Sequence, residues 1–81
     1  MRAEVQMPIL SQGMQSGRIV RWLVAAGDRV ERGDAIAEIE TDKAIIAMEA
    51  RASGAIVELL RTEGDEVAVG LPIAYIETSN I

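Results

Sequence analysis

An internal repeat without gaps governs how this chain can fold: the sequence matches itself at an offset of 37 positions, residue 53 minus residue 16. Ser16-Gly17 returns as Ser53-Gly54, Ile19-Val20 as Ile56-Val57, Leu23 as Leu60 and Gly27-Asp28 as Gly64-Asp65. The register holds through Val30 and Val67, Gly33 and Gly70, Ile36-Ala37 and Ile73-Ala74, to Ile39-Glu40-Thr41 and Ile76-Glu77-Thr78. About half of the aligned positions are identical, where chance agreement in such a composition is on the order of a tenth. Each unit is too short to bury its own apolar face, so the two halves must pack on each other about an approximate two-fold axis.

The unit reads as β structure. Ile19-Val20 and Ile56-Val57 are β-branched runs, preceded by Ser-Gly and followed by Gly-Asp, which is turn chemistry. Strands of four to six residues follow from that spacing. The recurrence of Gly27, Gly33, Gly64 and Gly70 at matched positions implies turns that need positive φ or a close backbone approach. Residues 44–52 alternate as a half-buried strand, although the alanines there would also suit a helix. The turn pair Ser53-Gly54 and the strand character of the rest of the repeat favour the strand. Ile36 and Ile39 stand an odd number of positions apart, so a flat strand cannot bury both on one face, and a bulge or bend is required.

With 81 residues there is room for one domain, residues 1–81, and its core must come from Ile, Val, Leu, Met and Ala, because Phe is absent and Trp22 and Tyr75 are the lone aromatics. Trp22 and its repeat mate Leu59 are expected to be partly buried. The chain has no Cys and no His, which removes disulfides, thiolate zinc sites, the usual catalytic base and the thiolate nucleophile. A net charge of −5, with arginines interleaved among acids, disfavours nucleic acid as a partner. No apolar run approaches the roughly 20 residues that span a bilayer, so the chain reads as soluble, monomeric when isolated, and not membrane-bound. Glu38, Glu40 and Asp42 alternate as the solvent face of a strand does, which is preferred over a metal site.

The segment Gly33-Asp34-Ala35-Ile36-Ala37-Glu38-Ile39-Glu40-Thr41-Asp42-Lys43-Ala44 resembles the attachment segment of the biotinyl/lipoyl domain family, in which Asp-Lys-Ala marks a lipoylated lysine. Met7-Pro8-Ile9-Leu10-Ser11, with Gly13-Met14, is similar to the opening strand and first surface loop of lipoyl domains from 2-oxo acid dehydrogenase acyltransferases. The resemblance implies an all-β fold, a flattened barrel or sandwich of two four-stranded antiparallel sheets with internal pseudo-two-fold symmetry. It places Lys43 at an exposed hairpin tip, flanked by Asp42 and Ala44, with lipoic acid attached through an amide. The repeat independently makes Asn80 the mate of Lys43, which sets the lysine turn and the chain's far end at opposite ends of the fold.

The function implied is that of a non-catalytic carrier within a dihydrolipoamide acyltransferase. Its partners would be a thiamine-diphosphate-dependent 2-oxo acid decarboxylase, the acyltransferase core, dihydrolipoamide dehydrogenase, and a lipoate ligase or lipoyl transferase. The location implied is cytoplasmic, or the mitochondrial matrix in a eukaryote. The alternatives are a biotin carboxyl carrier, whose lysine is typically flanked by Met on both sides, and an unmodified lipoyl-like hybrid, which lacks the lysine. The loop of residues 11–16 leads into the repeat, which begins only at Ser16, and is free to vary for function, so Gln12 and Met14 are candidate partner contacts, Met14 equally a candidate core cover.

Overall fold

The computed structural model describes residues 1–78. Eight strands follow one another: β1 (Arg2–Gln6), β2 (Ser16–Trp22), β3 (Arg29–Val30), β4 (Ala35–Glu40), β5 (Ile45–Glu49), β6 (Gly54–Leu59), β7 (Glu66–Ala68) and β8 (Pro72–Thr78). They form two four-stranded sheets, ordered β1-β8-β6-β3 and β5-β4-β2-β7, with antiparallel pairing throughout. The sandwich expected from the sequence is therefore the fold found, and residues 45–49 form a strand rather than the competing helix.

The repeat is visible bond by bond. The Ile19 amide donates to the Asp65 carbonyl at 2.9 Å and its mate Ile56 to Asp28 at 2.8 Å, while Gly64 donates to Ile19 and Gly27 to Ile56. Thus the turn that follows each long strand is held by the middle of the other half's long strand. Strand β1 completes the pattern by standing to β8 as β5 stands to β4. Ala50 donates to Asp34 and Gly33 to Ala50; correspondingly, Met7 donates to Leu71 and Gly70 to Met7. The two short strands are exchanged, since β3 of the first half pairs with β6 and β7 of the second half pairs with β2.

The irregularity required by the odd spacing is present in both halves. The pairing of β4 with β5 steps from Ala35 opposite Glu49 to Ala37 opposite Met48, leaving Ile36 as the extra residue. In β8 the step runs from Pro72 opposite Gln6 to Ala74 opposite Val5, leaving Ile73. Each bulge turns its isoleucine inward, so that Ile36 and Ile39, like Ile73 and Ile76, all reach the core. Ile19, Ile56, Val30 and Val67 join them with 2% or less of their surface exposed. Burying each of these side chains stabilises the fold by about 1.5–3 kcal/mol relative to exposure. Trp22 and Leu59 pack against this cluster from its margin, partly buried as expected.

Tracing the bonds also orients the molecule. Strand β2 starts beside the end of β4, with Arg18 opposite Glu40, and runs away from it to the turn that contacts Ile56. Strand β6 in turn begins at Gly54, opposite Thr78. The connection between β4 and β5 and the pairing of Thr78 with Met1 therefore occupy opposite ends. Asn80, the expected mate of Lys43, lies outside the described residues.

The four matched glycines all have positive φ, between 93 and 97°. A Cβ at Gly27 would meet open space, so its requirement is conformational alone. Gly54 is different: a Cβ there would lie 2.1 Å from the Glu77 carbonyl oxygen, a backbone atom that cannot swing aside. Gly27→Ala should therefore cost about 1 kcal/mol, whereas Gly54→Ala should cost about 3 kcal/mol or more through displacement of β8. Urea unfolding of the two variants checks that order, and equal midpoints would refute it.

Candidate functional site

Strand β4 ends at Glu40 and β5 begins at Ile45, leaving residues 41–44 to reverse the chain. No described residue other than glycine has positive φ, so this tip does not use the left-handed residues of the commonest two-residue hairpin turns. The Thr41 side chain closes it instead. Its Oγ1 accepts the amides of Lys43 at 3.2 Å and Ala44 at 3.1 Å and donates to the Ala44 carbonyl at 2.9 Å, while the Thr41 amide reaches that carbonyl at 2.8 Å. A hydroxyl offers one donor and two acceptor positions, and all three are in use. Thr41, 9% exposed, is the single buried polar residue among those described.

Asp42, Lys43 and Ala44 are all exposed. Among the described residues, neither an ion pair nor a side-chain hydrogen bond engages the Lys43 amine. The two acids of the preceding strand are occupied: Glu40 pairs with Arg18, and Glu38 with Arg21 at 3.4 Å, on the outer face of the sheet. These exposed pairs are worth at most about 1 kcal/mol each, but they hold the Glu38 and Glu40 carboxylates on the strand face, leaving Asp42 as the acid at the tip. A groove of about 490 Å³ opens between β1 and β5 over Val5, Met7, Met48 and Ile76, and none of residues 41–44 lines it. A group attached to Lys43 would thus project into solvent, held at its base by a backbone that Thr41 fixes.

Sequence reasoning singled out Lys43 and its flanks and named Thr41 only as a member of the segment and the repeat, without a role. The available signal was its identity with Thr78 across the repeat, together with the preference of threonine for bonding nearby backbone ahead of a turn.

The two loop candidates separate. Ser11, Gln12, Gly13 and Met14 form a β-turn in which the Met14 amide donates to the Ser11 carbonyl at 3.2 Å, with Gly13 at φ 78° as a type II turn demands. Gln12 is exposed at its crest. Met14 folds inward: 9% exposed, it lies under Gly17, and its sulfur accepts the Leu10 amide at 3.2 Å. Of its two readings, the core cover is the one the packing fits, because the close approach at Gly17 leaves space that the flexible thioether fills. Ser16 lies two positions beyond the Arg18 and Glu40 pair toward the hairpin, so the loop sits at the lysine end.

The comparisons agree with this geometry. The biotin/lipoyl family model, described as biotin-requiring enzyme, matches residues 3–76. The chain is 52% identical over 50 residues to the dihydrolipoyllysine-residue acetyltransferase component of the pyruvate dehydrogenase complex of Rhizobium meliloti, a match covering 62% of this chain and 11% of that protein. It therefore spans about a tenth of the length of the curated relatives it matches. Among solved structures, the lipoyl domain of the 2-oxoglutarate dehydrogenase complex of Azotobacter vinelandii superposes with a TM-score of 0.76 at 28% identity, covering 95% of this chain and 98% of that one. The urea carboxylase of Kluyveromyces lactis gives 0.79 at 28% identity, covering 95% of this chain and 6% of that one.

The burial difference in the loop makes a direct prediction. Met14→Ala should destabilise the fold by about 2 kcal/mol or more through the cavity it leaves, while Gln12→Ala should shift stability by no more than about 0.5 kcal/mol. Thermal melts of the two variants decide it.

Proposed function

Since the chain belongs to the biotin and lipoyl attachment family, we propose that it works as a lipoyl carrier domain, with lipoic acid joined by an amide to Nζ of Lys43. The observation that carries this reading is the exposed lysine at a hairpin tip closed by Thr41, its amine without an ion pair or hydrogen bond among the described residues. An attaching enzyme must reach the amine, and the amide that forms costs no buried packing. Asp42 and Ala44 support lipoate over biotin, since biotin carriers resemble one another in flanking the lysine with methionine. The sandwich fold does not discriminate, because it is shared with a urea carboxylase as well as with a lipoyl domain. Retention of the lysine speaks against an unmodified hybrid.

The lipoyl group, when bound, supplies a reducible dithiolane that takes up and passes on acyl groups. The chain itself supplies position. Hairpin residues 41–44 hold the base of the arm, while the outward course of the lysine stem lets the far end of the group range between active sites. The partners of this reading are a thiamine-diphosphate-dependent 2-oxo acid decarboxylase, the acyltransferase core, dihydrolipoamide dehydrogenase, and a lipoate ligase or lipoyl transferase. Contacts with each need to be brief, because slow release from any one would limit turnover. A covalent tether to the core would provide the effective concentration that weak contacts lack. The location that goes with these partners is the cytoplasm, or the mitochondrial matrix in a eukaryote.

Incubation with lipoate, ATP and a lipoate ligase should add one lipoyl mass to the parent chain and none to Lys43→Gln, with the circular dichroism spectrum unchanged. Mass gained by the variant would overturn the assignment. The exposed loop crest beside the hairpin is the proposed surface read by the decarboxylase. Gln12→Ala should accordingly leave lipoylation intact and lower the rate of reductive acylation several-fold, about 1 kcal/mol of transition-state binding. Equal rates at matched lipoylation would make the loop a connector only.

A further inference from the structure

We infer that the Thr41 hydroxyl is a positioning residue for modification of Lys43: it holds the hairpin tip in the one backbone shape that presents the lysine to the attaching enzyme. The inference rests on the reading of Lys43 as the lipoylation site. Three observations carry it.

First, the tip has little else to hold it. Asp42, Lys43 and Ala44 are exposed, neither central residue is glycine, and neither takes the left-handed conformation that twists an ordinary tight hairpin. Second, the amides of Lys43 and Ala44 both converge on Oγ1 of Thr41. A side-chain oxygen thus replaces the backbone acceptor that a tight turn normally uses, and it does so for the amide of the modified residue itself. Third, the hydroxyl is turned inward and saturated, because its proton goes to the Ala44 carbonyl. Its orientation is therefore fixed, and a single atom ties three consecutive peptide groups.

The symmetry mate shows which of these bonds serve the fold and which serve the tip. Thr78 donates its hydroxyl to the Met1 carbonyl at 2.9 Å, and its amide reaches the same carbonyl at 2.8 Å, reproducing the bonds from Thr41 to Ala44. That pair closes the ladder at each end of the molecule. The two amides bound by Oγ1 of Thr41 belong to the lysine hairpin, where the chain continues directly from β4 into β5. Thr78 is thus an internal control for the structural contribution of such a threonine.

The mechanism is one of population. With Oγ1 absent, the tip samples other backbone shapes, and the fraction competent for attachment falls. An enzyme that binds the competent shape then shows a KM raised by the reciprocal of that fraction, with kcat unchanged. Loss of two such bonds corresponds to at most roughly a 5- to 150-fold rise.

The test uses the full chain with a lipoate ligase, lipoate and ATP, measuring kcat and KM for the chain as substrate. Thr41→Val should raise KM at least fivefold at unchanged kcat. Thr41→Ser, which keeps all three bonds, should restore the parental value, and Thr78→Val should leave KM at the parental value. Thr41→Ala removes the same bonds and substitutes for the valine variant should that one not fold. Amide hydrogen exchange on the unmodified protein gives a readout independent of the ligase, and the Lys43 and Ala44 amides should exchange faster in Thr41→Val but not in Thr78→Val. A parental KM in Thr41→Val or Thr41→Ala, or an equal rise in Thr78→Val, overturns the inference while leaving Lys43 as the site. A parent chain that gains no lipoyl mass overturns the functional reading first, and this inference with it.

Discussion

The exchange of backbone bonds between halves, Ile19 with Gly64 and Asp65 and Ile56 with Gly27 and Asp28, is what makes one domain out of two repeats. Each half contributes a long strand whose middle residue is buried on one side and bonded to the other half's turn on the other. Because β3 and β7 are also swapped between sheets, neither half can complete a sheet from its own residues. A chain of this size buries only about 60% of the surface its unfolded form exposes. Interlocking compensates by drawing residues of both halves into one core cluster, which Ile36 and Ile73 join from opposite sheets.

Perfect symmetry would give two equivalent ends, and the lysine proposed for attachment lies where the symmetry is broken. At one end Thr78 meets Met1 across a strand pair with no connection between them; at the other Thr41 meets Ala44 through the same donors and acceptors, but the chain passes between them. Two residues, Asp42 and Lys43, span that gap. The lysine is thus carried on the shortest connection of the sheet, anchored at both flanks by full strands. An exposed side chain on a rigid base combines a fixed origin with a free arm, which a lysine on a long loop would not.

Much of this was legible in the residues themselves. The odd spacing of Ile36 and Ile39 required a bulge, and the bulge lies at Ile36, repeated at Ile73. The paired glycines called for positive φ, which all four have. Such features are local, or copied by the repeat, so periodicity alone exposes them. The choice between the two readings of Met14 was not legible, because its burial depends on Gly17 bringing β2 close beneath the loop, a contact set by three dimensions. The three bonds of Thr41 were hidden for a related reason: threonine ahead of a turn suits both a strand end and a cap, and only the absence of left-handed residues at the tip forces its hydroxyl into the acceptor role. The closeness of Gly54 to Glu77 is likewise a fact of pairing between distant segments.

The two offsets in the repeat locate a second departure from symmetry. Matched positions in the body differ by 37, as Ser53 does from Ser16, whereas the bonds pairing Ala50 with Met7 give 43, so the segment from Met7 to Ser16 is 43 minus 37, or six, residues longer than its mate from Ala50 to Ser53. Those extra residues form the loop with Gln12 at its crest, and the loop returns to the sheet at Ser16, beside the hairpin. The fold therefore keeps both of its departures, the closed lysine tip and the enlarged loop, at one end, while the other end retains the plain strand pairing. Mutations that act on the body propagate through the exchanged bonds into both halves. Changes at the crest of the loop meet solvent on one side and a β-turn on the other, so they can alter what a partner touches without passing into the core.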